Sequence, residues 1–444
     1  MLLLLLLLCV AFIVVTTTRL QLHPFLALIG ASLLFGLLSG MPPDQVVAAI
    51  NQGFGDTLGK IGLIIIAGTI IGVFLERSGG AFRLAEKILN GIGHRHVATA
   101  MALIGYVVAI PVFSDSGFVI LAPLNKALSA RAKVSLAGTA VALGLGLSTA
   151  HALIPPTPGP IAAAGILEAD LGLVILLSLP VSLVALCCGW LFATRVAART
   201  YIDPNPDMTE AEIGERLQHA PSSLKSLLPI LVPLVLIVGR SVAALPSQPL
   251  GASSFVDVLL FVGDPVVALL IGMALAFLLP RRLEKAMLSP QGWVGRGLLD
   301  AALILLITGA GGAFGRVLQN SGIADVIGGA LSGMSLGIWL PFILAAGIKS
   351  AQGSSTVSII TTASIVAPLL ATLGYDSDVA RALVVLAIGA GALVVSHAND
   401  SFFWIFTQMS NMTVRHGFRF QTVGTLILGV SAALIVWVLA AVMV

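Results

Sequence analysis

Pro111 to Leu124, PVFSDSGFVILAPL, sets Ser114, Asp115, Ser116 and Gly117 between two apolar arms. A carboxylate at bilayer depth is costly unless it faces protein or water, so Asp115 beside a glycine-opened backbone marks a candidate functional site. The design recurs at Gly353 to Leu369, GSSTVSIITTASIVAPL. Two hydroxyl-bearing turns inside apolar sequence point to a transporter. The rest of the chain fits: of 444 residues, 58% are hydrophobic and 10% charged, with a mean hydropathy of +1.06. A soluble domain carries about 25% charged residues, so this is an all-α polytopic membrane protein.

Net charge is +3 and the basic residues are scattered singly, which excludes a nucleic-acid-binding stripe. Cys9, Cys187 and Cys188 lie in apolar runs without metal-ligand spacing, so neither a metal nor a cofactor is expected. Leu2 to Val15 has no basic residue before it and Arg19 after it, so it reads as a first span with the N-terminus outside rather than a cleaved signal.

Runs long enough to span fall at 2–18, 24–40, 60–76, 134–168 (interrupted), 171–194, 226–242, 258–280, 299–317, 379–412 (interrupted) and 420–444, which makes ten. Two further runs, 97–130 and 336–372, are broken by SDSG and SAQGSS and read as re-entrant hairpins. With the N-terminus outside, most of the 23 basic residues fall in loops on the inner side, as short cytoplasmic loops require. Lys60, Arg240, Arg316 and Arg381 are left at outer ends of spans, and Lys349 alone at depth. This layout also places the C-terminus outside.

An internal repeat runs through the chain. Leu75–Gly79 (LERSG) matches Leu318–Gly322 (LQNSG), Ala122–Leu124 matches Ala367–Leu369, and Gly144, Gly146 and His151 match Gly389, Gly391 and His397, at offsets between 243 and 246. An odd number of spans per half turns the second copy upside down, the pattern of inverted repeats with sites near the midplane. The expected organisation is a first repeat at 1–194 and a second at 226–444. Residues 195–225 between them form a cytoplasmic linker, with one surface helix starting near Thr209 in a capping box with Glu212.

Four islands at membrane depth are expected to be non-helical: Ser114–Gly117, Ser148–Pro160, Ser350–Ser355 and Ser396–Ser401. Free backbone groups and hydroxyls meet there, and half-helix N-termini at such breaks favour anions. Lys349 lies roughly 20 Å in from the hairpin entrance, at 1.5 Å per residue. A buried ammonium needs a partner: Asp115, Asp400 or a substrate carboxylate all answer. Asp115, Asp400, His151 and His397 are the titratable groups at the breaks and the candidates to carry a coupling proton.

An enzyme or a channel is the competing class. Ser114, Asp115 and His151 could supply a nucleophile and base, but no HExxH or GxSxG motif is present. Nothing suggests a pore built from rings of subunits. Gly309–Gly315, GAGGAFG, follows no predicted strand and reads as helix packing rather than a nucleotide loop.

HPFLALIGAS at 23–32, GAGGAFG at 309–315, PPTPGP at 155–160, GSSTVSIITTASIVAPL at 353–369 and NDSFFW at 399–404 together resemble the gluconate permease family, bacterial inner-membrane symporters of the ion-transporter superfamily. The resemblance covers essentially the whole chain. It implies proton-coupled uptake of gluconate or a related small hydroxy monocarboxylate by a homodimer working as an elevator in the lipid bilayer. Carried over residue by residue, it implies a binding site made of Ser114, Asp115 and Ser116 at the first tip and Thr149, His151 and Thr157 at the first break. In the second half the matching positions are Gln352, Ser354, Ser355 and Thr356, beside Lys349, and Asn399, Asp400 and Ser401. Many members carry a histidine at the position of Thr157, a glutamate at Asp115 and an alanine at Ser355, so the solute is open. D-serine, carried by one branch, and sodium coupling are the alternatives.

Overall fold

Helix starts in this chain follow proline and short polar caps. Pro24, Pro43, Pro158 and Pro265 open helices, where a missing N–H leaves no bond unmade. The side chains of Ser135, Asp170, Ser222, Ser354, Ser377 and Asp400 accept from first-turn N–H groups of others. A computed structural model describes residues 2–93, 96–205, 210–244, 250–251, 253–323 and 337–444. Among these residues the fold is helical and contains no strand.

The helices are α1 (Leu2–Thr18), α2 (Pro24–Leu38), α3 (Pro43–Arg77), α4 (Gly80–Ile92), α5 (Val97–Val108), α6 (Ser114–Arg131), α7 (Leu136–Leu153), α8 (Pro158–Ile166), α9 (Leu171–Arg195), α10 (Glu210–His219), α11 (Ser223–Ala243), α12 (Ser254–Val262) and α13 (Pro265–Ala276). The chain continues with α14 (Trp293–Asn320), α15 (Trp339–Gln352), α16 (Ser355–Val366), α17 (Asp378–Leu393), α18 (Ser401–Met409) and α19 (Val414–Met443), the last with a π-helical stretch at Phe418–Thr422. Among the described residues, six helical stretches are long and apolar enough to cross a membrane, and α12 with α13, bent by 72°, makes a seventh if taken as one span. The runs expected at 2–18, 24–40 and 379–412 are built from shorter helices. Residues 43–59, left outside the expected span at 60–76, belong to the 35-residue α3.

α3 and α14 pack antiparallel at the centre. A Cβ on Gly53 would stand 2.4 Å from the Gly312 carbonyl oxygen, while Ile70 meets Gly297 at the other end, so GAGGAFG is a helix-packing surface as expected. Around this pair one packing relation recurs. α5 packs on α7 as α15 packs on α17, and the repeat-matched Gly146 and Gly391 lie at these two seams. A Cβ would approach the Ala102 carbonyl oxygen to 2.2 Å at Gly146 and that of Phe342 to 2.3 Å at Gly391, which only glycine permits. The halves also interlock: α16 packs on α8 and α18 on α6. The window within α7 and α8 is 89% buried and that of α19 28%, so α7 is central and α19 peripheral.

In the linker, α10 is held by Arg83, which donates to the carbonyls of Pro221 and Leu217. Thr209, and with it the expected capping box, lies outside the described residues.

Candidate functional site

Four helix breaks meet near the centre, and they are shorter than the expected islands: 148–153 close α7 and 158–160 open α8, which leaves a break of 154–157. Ser114–Gly117 is not a non-helical island but the first turn of α6; the break is 109–113. Pro111 disfavours helix in the residue before it, while Ser and Asp are at home in a first turn where N–H groups are free. In the second half the break is shorter still. Gly353, at φ +91, ends α15, and Ser354 caps α16 directly. A Cβ at Gly353 would lie 2.1 Å from the Asn399 carbonyl oxygen, which locks this turn against the last break, 394–400.

α6, α16 and α18 begin at one cavity of about 580 Å³, lined at their first residues by Ser114, Ser355 and Ser401. Phe113 supplies no side-chain cap to α6, so that helix offers its first-turn backbone donors beside the cavity. Of the expected substrate-binding residues all but Thr149 and Thr157 line it, and so do the proton-carrier candidates other than His397. Thr149 is fully buried and donates to the Leu145 carbonyl. Thr157 donates to the Ile154 carbonyl and lines a separate small void that it shares with His151 and Phe113, so it stands behind His151 rather than in the main cavity.

Lys349 is 2% exposed, and its ammonium lies 2.7 Å from Asp400 Oδ2. It also donates to the Gly353 carbonyl. Asp400 is triply engaged: Oδ2 accepts from Ser396 Oγ at 2.6 Å as well, and Oδ1 caps α18 through the Phe402 N–H at 3.0 Å. Of the partners open to Lys349, the structure therefore selects Asp400. Asp115 instead accepts from Ser401 Oγ at 3.0 Å, a link between the two halves of the chain.

His397 does not line the cavity; its Nε2 is 2.8 Å from the Ser350 carbonyl. Asn399 donates to the carbonyls of Ser350 and Ala351, so both side chains close the C-terminus of α15. The Nδ1 atom of His151 is buried and has no hydrogen-bond partner among the described residues. Ser114 Oγ donates to the Leu147 carbonyl at 3.2 Å, which leaves the imagined Ser–Asp–His nucleophile unassembled.

Ser148 and Ser396, which open two of the expected islands, add hydroxyls to the lining, and sequence reasoning missed Thr425 and the pair Arg296–Asp300, 3.2 Å apart on the first turns of α14. From the sequence, Arg296 falls in an inner loop, because the apolar run begins at 299. The available signal was its i, i+4 spacing to Asp300, which suits a helix. Among the described residues there is no cluster of His, Cys, Asp and Glu able to hold a metal.

A helical membrane protein whose broken helices aim their N-termini at a polar cavity holding a buried ion pair has the architecture of a membrane transporter. The same fold occurs in the crystal structure of the Alcanivorax borkumensis YdaH transporter, described as having an unusual topology. The TM-score is 0.66 at 15% identity, over 95% of this chain and 99% of that one. The chain belongs to the GntP permease family: the family model, described as GntP family permease, matches residues 1–443. It is 37% identical to a gluconate permease of Pseudomonas aeruginosa, over 93% of this chain and 92% of the relative. It is 34% identical to a high-affinity gluconate transporter of Escherichia coli K12, with 89% of each covered, and 33% identical to the D-serine transporter DsdX of the same organism, with 94% and 93% covered. This is a permease, not an enzyme.

Proposed function

We propose that the protein is a secondary active transporter of the bacterial inner membrane that takes up gluconate or a related small hydroxy monocarboxylate together with protons. The observation that carries this reading is the convergence of three helix N-termini on the cavity beside the Lys349–Asp400 pair. Aligned N–H groups and a nearby ammonium favour a carboxylate, while the serines, Gln352 and Thr356 suit a hydroxylated chain. Asp115, hydrogen-bonded only through the Ser401 hydroxyl among the bonds described, is the proton carrier in this scheme. The recurring packing relation supports two inverted repeats, 1–194 and 226–444, with hairpins at 97–130 and 336–372 inside a ten-span homodimer. The solute crosses as a domain made of both hairpins and the broken helices moves against the scaffold.

The deciding experiment is uptake by Lys349→Gln/Asp400→Asn, a double variant that keeps a polar pair and an Asn cap on α18. Gluconate uptake is lost while the folded protein is retained, and normal uptake would sink the anion-site assignment. In proteoliposomes, gluconate draws protons inward without sodium; a strict sodium requirement overturns the coupling. D-serine is the second reading, favoured by Asp115, whose carboxylate is open to an ammonium. Competition by D-serine against labelled gluconate decides it.

A further inference from the structure

At the far end of α14 lies a second, charged hollow. Arg296, near the start of α14, lines the main cavity and Arg316 lines the other, about 30 Å further along the helix at 1.5 Å per residue. This hollow, of about 300 Å³, brings together Lys60 from α3, Arg316 from α14 and Arg381 from α17. A neighbouring cavity of similar volume shares Lys60 and Glu168 with it and adds Arg240. These are the four basic residues that the charge layout leaves on the outer side.

Glu168, in the connection between α8 and α9, stands between two of them. Its Oε1 is 2.5 Å from Lys60 Nζ and its Oε2 is 3.6 Å from Arg381 Nη1. The residue is held at φ +54, a left-handed conformation unusual for a side-chain-bearing residue. The Lys60 hydrogen bond and charge hold its carboxyl below the usual glutamate range. Arg381 also donates to the Leu167 carbonyl at 3.4 Å, but its Nε is buried without a hydrogen-bond partner among the described residues. Arg316 is neutralised separately by Asp56 at 2.9 Å, and Asp376 adds an exposed carboxylate to the rim.

A carboxylate clasped by an ammonium and a guanidinium, 60% exposed and carried on a loop, is an anion site filled by the protein's own anion. Exposed ion pairs contribute little to stability, so exchanging one carboxylate for another there is close to balanced. A brace holding α3, α17 and the α8–α9 connection together would use the same pairs, but it accounts for neither the adjoining hollows nor the unmatched donor.

We propose that Lys60 and Arg381 form an outer capture site for small monocarboxylates, which Glu168 occupies until a solute carboxylate displaces it. The site rests on the transport reading above, and would hand its anion inward to the main cavity.

The test places a single cysteine at Ala371, an exposed residue lining the hollow, with Cys9, Cys187 and Cys188 replaced. Its labelling by a membrane-impermeant thiol reagent is followed in intact cells, in the Lys349→Gln/Asp400→Asn background that disables the main cavity. Gluconate slows labelling about two- to fivefold, as expected for one exposed charge contact, and sorbitol, which lacks the carboxylate, does not. Glu168→Gln strengthens this protection, and Arg381→Gln removes it. Equal labelling with and without gluconate overturns the site, as does labelling that needs permeabilised cells. Loss of gluconate uptake by the unmodified chain would instead strike the transport reading, and is measured separately.

Discussion

At the scale of single residues, the pairing of Lys349 with Asp400 settles what the sequence left open. Removing one partner of a buried pair leaves the other charge uncompensated, at a cost of about 3–5 kcal/mol. Lys349→Gln alone therefore lowers the melting temperature in detergent more than Lys349→Gln/Asp400→Asn does; equal losses would mean the pair is not coupled. The Glu168 carboxyl is depressed in the fold by Lys60, so its contribution is fully present above the ordinary glutamate value, about 4.3, and is lost only as pH falls below it. Between about pH 5 and 8 it is constant. Glu168→Gln should leave the shape of the uptake–pH profile unchanged in that window, whereas Asp115→Asn should flatten it. Residue types were legible in sequence: a lysine and two aspartates at depth could not be accidental. Which aspartate took the lysine was not, because it depends on how the 394–400 break folds back onto the Gly353 turn.

The helix breaks teach a lesson about elements. Sequence places the interruptions at SDSG and SAQGSS, yet SDSG is a helix start and the break lies before it, around Pro111, since serine, aspartate and glycine serve both roles. Similarly, α14 begins before its apolar run, at Trp293, because helices do not end where hydrophobicity does. The Gly353 turn has little tolerance. Gly353→Ala meets both a left-handed φ and the Asn399 carbonyl, and is expected to destabilise by about 1–3 kcal/mol. Thermal unfolding of the purified protein with reduced gluconate binding would show it, and an unchanged melting curve would contradict the locking of the two breaks. Gly391 against the Phe342 carbonyl and Gly146 against that of Ala102 make the same kind of close helix contact at two separate seams.

At the scale of the whole molecule, composition showed a polytopic membrane protein and the family motifs pointed to a permease before any side chain was placed. The central α3–α14 pair was half hidden, because 43–59 lie outside the apolar run at 60–76 and are nonetheless continuous helix. The interlocking of α16 on α8 and α18 on α6 was invisible, since contacts between halves leave no local pattern. One consequence of the Lys349–Asp400 pair is electrical. The two charges cancel, so the net charge of the site is set by Asp115 and the solute. Arg296 and Asp300 cancel likewise; under the proposed coupling, the loaded site with Asp115 protonated would carry one negative charge inward, and the empty site with Asp115 ionised one negative charge back. A membrane potential, worth about 2.3 kcal/mol per charge per 100 mV, then opposes one crossing and assists the other equally. Imposing a potassium diffusion potential with valinomycin should leave the steady accumulation of gluconate unchanged, while collapsing the pH gradient abolishes it. On this account the cell's voltage is no fuel for this carrier.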